Sequence, residues 1–128
     1  MKLFYGTGNQ SKLRNMRAIL AGMPIELVTP ADLGIRLPAV EETGATPLEN
    51  AALKAEAYHA VSGLPSFSLD SGLYLEGVPA ALQPGPYVRR VNGRELSDEE
   101  FIAYYQQLAH QYGGRLKARF INGLCVVL

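Results

Sequence analysis

The chain has 128 residues, 48% hydrophobic, 19% charged and 9% aromatic, which is the balance of an ordinary globular protein and suits one domain over residues 1–128. Twelve Lys and Arg offset twelve Asp and Glu, so the basic excess of a general nucleic-acid binder is absent, while a small anionic ligand stays possible. A lone cysteine, Cys125, excludes an internal disulfide, and its apolar setting GLCVVL predicts a buried structural thiol. With no basic-then-apolar leader and no apolar run of membrane-spanning length, the expected location is cytoplasmic and no membrane partner is expected.

In chain order, residues 2–6 (KLFYG) predict a short strand that Thr7-Gly8-Asn9 breaks. A helix follows from Gln10, with Leu13, Met16, Ile19 and Leu20 as an apolar stripe at helical spacing, stopped by Gly22 and Pro24. Residues 25–28 (IELV) predict a second strand, and this β-turn-α-β opening indicates an α/β protein. Residues 29–46 carry Pro30, Gly34, Pro38 and Gly44 and are expected to be irregular, with at most one helical turn around 31–34.

Thr46 is a cap, Pro47 suits the first helical position and Glu49 completes a capping box. The helix it opens ends near Ser62-Gly63. Residues 66–69 form a strand leading into Asp70-Ser71-Gly72, and a second strand segment, LYLEGV, follows. Residues 78–93 predict a long loop rich in proline and glycine. Ser97 opens another helix with a capping box at Glu100, and residues 115–128 supply one long or bent strand. His59 and His110 lie on helices and are read as surface or packing residues.

Three segments fall at strand-to-helix or loop-to-helix junctions, where ligands bind in α/β proteins: TGNQSK, EETGATPLEN and LDSG. TGNQSK offers backbone N–H groups at a helix start together with Lys12, a phosphate-binding arrangement; a plain helix cap has the same wording. The Glu41-Glu42 pair suits Mg²⁺ or is simply solvated. Asn50 and Lys54, four apart, share one helix face. Asp70 followed by Ser71 and Gly72 is either a turn or a carboxylate presented at a strand end.

Taken together, TGNQSK, EETGATPLENAALKA, LPSFSLDSGL and PGPYVRR resemble the inosine triphosphate pyrophosphatase family in order, spacing and wording. Its members hydrolyse non-standard purine nucleoside triphosphates to monophosphate and pyrophosphate. The resemblance implies an α/β fold: a mixed twisted sheet flanked by helices, with two lobes around a cleft. It implies that Thr7, Gly8, Asn9 and Lys12 hold the triphosphate, that Glu42 and Asp70 bind Mg²⁺, and that Asp70 activates water. It also implies substrate contacts for Asn50, Lys54, Ser71 and Gly72, with Lys12 and Lys54 catalytic.

Two departures stand against the family pattern. Leu69 occupies the position of an acid that usually precedes the motif Asp, so one carboxylate is expected to be missing from the metal site. The match also ends where the family continues into a Phe-Gly-Tyr-Asp-Pro loop and a Ser-His-Arg motif. The expected consequence is a strand at 116–128 with an unpaired edge, covered in a homodimer or a swapped assembly. Tyr87 could stack on a base or pack in the dimer interface and is read as packing, with Arg89 and Arg90 phosphate-facing or solvated. The alternative to a Mg²⁺-dependent enzyme is a degenerate, catalytically silent nucleotide-binding or interaction protein that keeps the fold. A further alternative is the N-terminal part of a split or frameshifted protein.

Overall fold

A computed structural model describes all 128 residues. Two parallel strands, β1 (Lys2–Tyr5) and β2 (Glu26–Val28), are joined through helix α1 (Gln10–Ile19). Asn9 starts α1 because its Oδ1 accepts hydrogen bonds from the Ser11 and Lys12 backbone N–H groups at 3.0 and 3.1 Å. Alternation along β1 sends side chains to both faces. Leu3 and Tyr5 pack with Leu13 of α1 and Phe67, whereas Phe4 packs with Val28 and Tyr58 on the other side. Of the expected α1 stripe, Leu13 is buried and Met16 packs against it, but Ile19 is 64% exposed.

The proline-rich connection after β2 contains one helical turn, α2 (Pro30–Leu33), closed by a Thr29/Asp32 capping box and by Gly34 at φ 63°. Helix α3 (Pro47–Ser62) begins at Thr46 and ends at Gly63, a residue at φ 66° that suits glycine. It covers the face of the sheet formed by the two longest strands.

The clearest departure from expectation lies in the next strand. Asp70-Ser71-Gly72 is no turn: β3 (Ser66–Leu75) runs through it unbroken, held over all ten residues by the antiparallel strand β6 (Ala118–Val127). A turn composition is overridden because β6 supplies a partner for every residue of the stretch. β1 pairs with β3 only at Phe4↔Ser66 and Tyr5↔Phe67. Asp70 therefore stands beyond the end of β1, at the carboxyl edge of the parallel part of the sheet. The order is β2-β1-β3-β6, mixed as expected, with β6 at the edge.

The segment after β3 is more ordered than a loop. It holds a 3-10 turn at Ala80–Leu82 and a hairpin, β4 (Arg90–Val91) with β5 (Arg94–Glu95), turned by Asn92 at φ 52° and Gly93 at φ 76°. Asn-Gly is a strong hairpin signal that the sequence reading absorbed into the loop. Helix α4 (Asp98–Gln111) has the predicted Ser97/Glu100 capping box and packs Leu108 with Leu75 and Val78. α1 and α4 thus cover the two halves of one face of β3.

β6 has little covering it. Phe120, Leu124 and Val126 are 66%, 54% and 48% exposed on the face away from α3. Cys125 is half-buried, not buried, and faces α3 across from Ser68. On that same side a Cβ at Gly123 would run into the backbone of Leu48 and lie 2.6 Å from the Pro47 carbonyl carbon. Gly123→Ala is accordingly expected to lift the start of α3 and destabilise the protein by about 2–3 kcal/mol, measured by urea unfolding.

Candidate active site

The first turns of α3 place two polar residues on the face that meets β3. Asn50 is 1% exposed, and its Oδ1 accepts a hydrogen bond from the Gly44 N–H at 2.7 Å. Its side chain, expected at the substrate, therefore lies inside the protein and holds the loop before the helix. The loop is packed against the helix tightly enough that a Cβ at Gly44 would fall 2.6 Å from Glu49 Cβ. Glu49 does not close the predicted capping box. Its carboxylate accepts from the Ala45 N–H at 2.6 Å, one residue before Thr46, while Thr46 Oγ1 accepts from the Glu49 N–H.

One turn further along, Lys54 reaches two carboxylates at once. Its Nζ lies 2.5 Å from Glu42 Oε1 and 2.9 Å from Asp70 Oδ1. Lys54 and Asp70 side chains are each 16% exposed and Glu42 is 33% exposed, so the cluster is shielded but open on the Glu42 side. Burial pulls the Lys54 ammonium down, but hydrogen bonds and charges from Glu42 and Asp70 outweigh it and hold its pKa above the ordinary lysine value. Tyr5 and Tyr58 lie within range of the same charges, and burial pushes both phenols up.

The two ion pairs use one oxygen of each carboxylate. The other oxygen of Asp70, Oδ2, is buried without a hydrogen-bond partner. Buried polar atoms are normally paired, so this one marks a place for a cation, a water or a ligand donor. With the Glu42 carboxylate bound to the same Lys54 ammonium, the chemistry fits a hard cation such as Mg²⁺, which takes one or two carboxylates and fills its shell elsewhere. No third His, Cys, Asp or Glu joins them. Leu69 packs with the α1-side cluster, on the opposite face of β3 from Asp70, so its side chain is not turned toward Lys54.

The remaining expected residues occupy other stations. Thr7, Gly8 and Asn9 lie in the turn between β1 and α1, and Lys12 in the first turn of α1. Thr7 Oγ1 accepts from the Asn9 N–H at 3.2 Å, and the Asn9 side chain is engaged in capping. Lys12 is exposed and forms no ion pair. Because β1 has β2 on one side and β3 on the other, this turn and Asp70 flank the point where the chain connections diverge, the usual binding crevice of such sheets. Ser71 points away from Lys54 and donates to Asn122 Oδ1 at 2.7 Å. Gly72 is buried where a Cβ would meet Pro47 Cγ at 2.9 Å, so it seats α3 on β3.

Tyr87 was not recognised from sequence as part of this neighbourhood. Its hydroxyl is shared between the carbonyls of Glu42, at 2.7 Å, and Gly44, at 2.8 Å. Arg89 pairs with Asp98 at 2.6 Å and lies over the Phe101 ring. Arg90 is exposed on β4. Among the histidines, His110 is exposed on α4, and His59 Nδ1 lies 2.8 Å from the Leu64 carbonyl beyond the end of α3.

A lysine-bridged carboxylate pair at the carboxyl edge of parallel strands, beside a turn that opens a helix, defines an α/β protein with a polar ligand crevice. Residues 3–128 match the Ham1 family, and the chain belongs to it. It is 38% identical over 121 residues to the dITP/XTP pyrophosphatase of Thermus thermophilus, covering 94% of this chain and 56% of that protein. It is also 38% identical over 130 residues to the dITP/XTP pyrophosphatase of Haemophilus influenzae, covering 98% and 62%. The fold matches a HAM1 protein structure from Coxiella burnetii with a TM-score of 0.80 at 26% identity, covering 99% of this chain and 63% of that one. The chain thus spans 56–62% of the length of these two curated relatives. The family read from the motifs is upheld.

Loss of the Lys54 ammonium leaves Glu42 facing Asp70 without a counterion. Lys54→Met is expected to destabilise the protein by about 2 kcal/mol in thermal unfolding at pH 7. The pH dependence follows from the raised pKa. The Lys54 contribution is full below the ordinary lysine value and is lost as pH rises through the higher folded value, so wild type and Lys54→Met are expected to converge in stability at strongly alkaline pH.

Proposed function

We propose that the protein hydrolyses non-standard purine nucleoside triphosphates, such as inosine and xanthosine triphosphate, to the monophosphate and pyrophosphate with Mg²⁺. The observation that carries this reading is the Glu42–Lys54–Asp70 cluster with the unpartnered Asp70 Oδ2. The names of the relatives support the substrate class.

Glu42 and Asp70 would hold the metal, which when bound supplies charge neutralisation at phosphate oxygens and acidifies water. Asp70 orients the attacking water and accepts its proton. The water oxygen bonds to the α-phosphorus as the bond to the bridging oxygen breaks, and pyrophosphate carries away that electron pair. Lys54 and Lys12 neutralise the charge that develops on the phosphates, and the α1 start with Thr7, Gly8 and Asn9 receives the triphosphate. Asn50, Ser71 and Gly72 support the site through the packing and hydrogen bonds described above. A cytoplasmic location accords with such substrates, and no helix is long and apolar enough to cross a membrane.

We further propose that a second copy covers the edge of β6, supported by its free side and by exposed Phe120, Leu124 and Val126. Light scattering coupled to size exclusion is expected to give the dimer mass; a monodisperse monomer would refute this.

A second reading is a catalytically silent nucleotide-binding protein on the same scaffold, favoured by Lys54 already taking one oxygen of each carboxylate. Pyrophosphate release separates the two. Wild type with Mg²⁺ is expected to favour inosine and xanthosine triphosphates over the ordinary ones, and Asp70→Asn to lose roughly 100-fold or more in rate. Nucleotide binding without release in the wild type would establish the silent protein.

A further inference from the structure

Residues 42–45 have no regular secondary structure, yet each of their polar backbone groups that is bonded goes to a side chain. The Gly44 N–H donates to Asn50 Oδ1 and the Ala45 N–H to Glu49 Oε2, both from α3. The carbonyls of Glu42 and Gly44 have no backbone donor and receive a single one, the Tyr87 hydroxyl, 45 and 43 residues away in sequence. One O–H shared between two carbonyls makes a three-centre bond. It fixes the peptide units that follow Glu42 and Gly44, and with them the direction in which the Glu42 side chain leaves the loop.

Tyr87 is itself held from β3. Leu73 and Gly85 exchange two backbone hydrogen bonds, each of 2.9 Å, and the Tyr87 N–H donates to the Pro84 carbonyl. Gly85 is at φ 55°, and the Tyr105 hydroxyl ties Val88 to α4 at 2.7 Å. The connections close a ring. Asp70 leads along β3 to Leu73, across to Gly85 and Tyr87, over to the 42–44 loop, through Asn50 to α3, and by Lys54 back to Asp70. Opening the ring at Tyr87 leaves Glu42 tethered from the α3 side alone.

We propose that Tyr87 is the positioning residue of the Glu42 loop: its hydroxyl holds the carbonyls of residues 42 and 44 so that the Glu42 carboxylate stays opposite Asp70. The inference rests on Glu42 having the role proposed above, and it adds a residue whose chemistry is not used on the substrate. Tyr87 touches neither Lys54 nor Asp70 through its hydroxyl; it acts on Glu42 through the backbone.

The test compares the 128-residue wild-type chain with Tyr87→Phe and Tyr105→Phe, with folding of each checked by its amide spectrum. Tyr105→Phe removes a hydroxyl that anchors the same segment from α4 and leaves the Glu42 loop bonds in place. Three quantities are read: Gly44 amide exchange, Mn²⁺ affinity by water-proton relaxation, and the Mg²⁺ dependence of pyrophosphate release. Tyr87→Phe is expected to speed Gly44 exchange at least about tenfold and to weaken Mn²⁺ and Mg²⁺ half-saturation by about tenfold, with the rate at saturating Mg²⁺ retained. Tyr105→Phe is expected to match the wild type in all three. Wild-type Gly44 exchange in Tyr87→Phe overturns the inference, as does fast exchange with unchanged metal affinity. If the wild type neither binds Mn²⁺ nor releases pyrophosphate, the functional reading fails by itself, and Gly44 exchange in Tyr87→Phe still decides whether the hydroxyl holds the loop.

Discussion

Everything that gives this molecule a site depends on one ammonium group held between two carboxylates. Lys54 belongs to a helix, Glu42 to a loop and Asp70 to a strand, and no backbone ladder joins the three. Attraction at 2.5 and 2.9 Å in a shielded setting is strong, but removing the three charges from water opposes it, so the net stabilisation is modest. What the cluster supplies is geometry. With one positive and two negative charges it retains an excess of negative charge, and it leaves a buried oxygen with nothing from the protein to bond it.

Such a cluster survives only if its supports are stiff. The helix is pressed onto the sheet so closely that two strand positions, Gly72 and Gly123, have no room for a Cβ. The loop is packed against the helix in the same way at Gly44. Each of the three glycines marks a close approach of backbone to another element, and none of them needs a left-handed conformation. The carboxylates are thus brought together by contact distances between main chains, not by the reach of long side chains alone.

Much of this was legible in the sequence. The caps at Thr46 and Ser97 lie in short local patterns, and helix starts were read from them because the hydrogen bonds concerned span only three residues; the Thr29 cap, in a segment expected to be irregular, was not read. The junction segments carried Lys54, Glu42 and Asp70, and the family resemblance tied them together. Three features were not legible. Asp-Ser-Gly was open to being a turn because its composition favours one, and only the distant pairing of β3 with β6 makes it strand. Asn50 was placed at the substrate by the family resemblance alone, since helical spacing gives its face but not what covers that face. Tyr87 was read as packing because its partners are backbone carbonyls, and carbonyls leave no trace in side-chain patterns.

The ten-residue ladder between β3 and β6 also sets the order in which the protein can take shape. Ser71 and Asn122, which face each other across it, are 51 residues apart in the chain. Local pieces such as α1 and α3 can form early, but β3 stays single-sided until β6 arrives, and closing so long a loop is slow. During that interval the strand bearing Asp70 is a ribbon with one free edge and a half-covered apolar surface. The central strand of the sheet is therefore the last part of the site to become rigid, and the stretch most exposed to mispairing while the chain is being made.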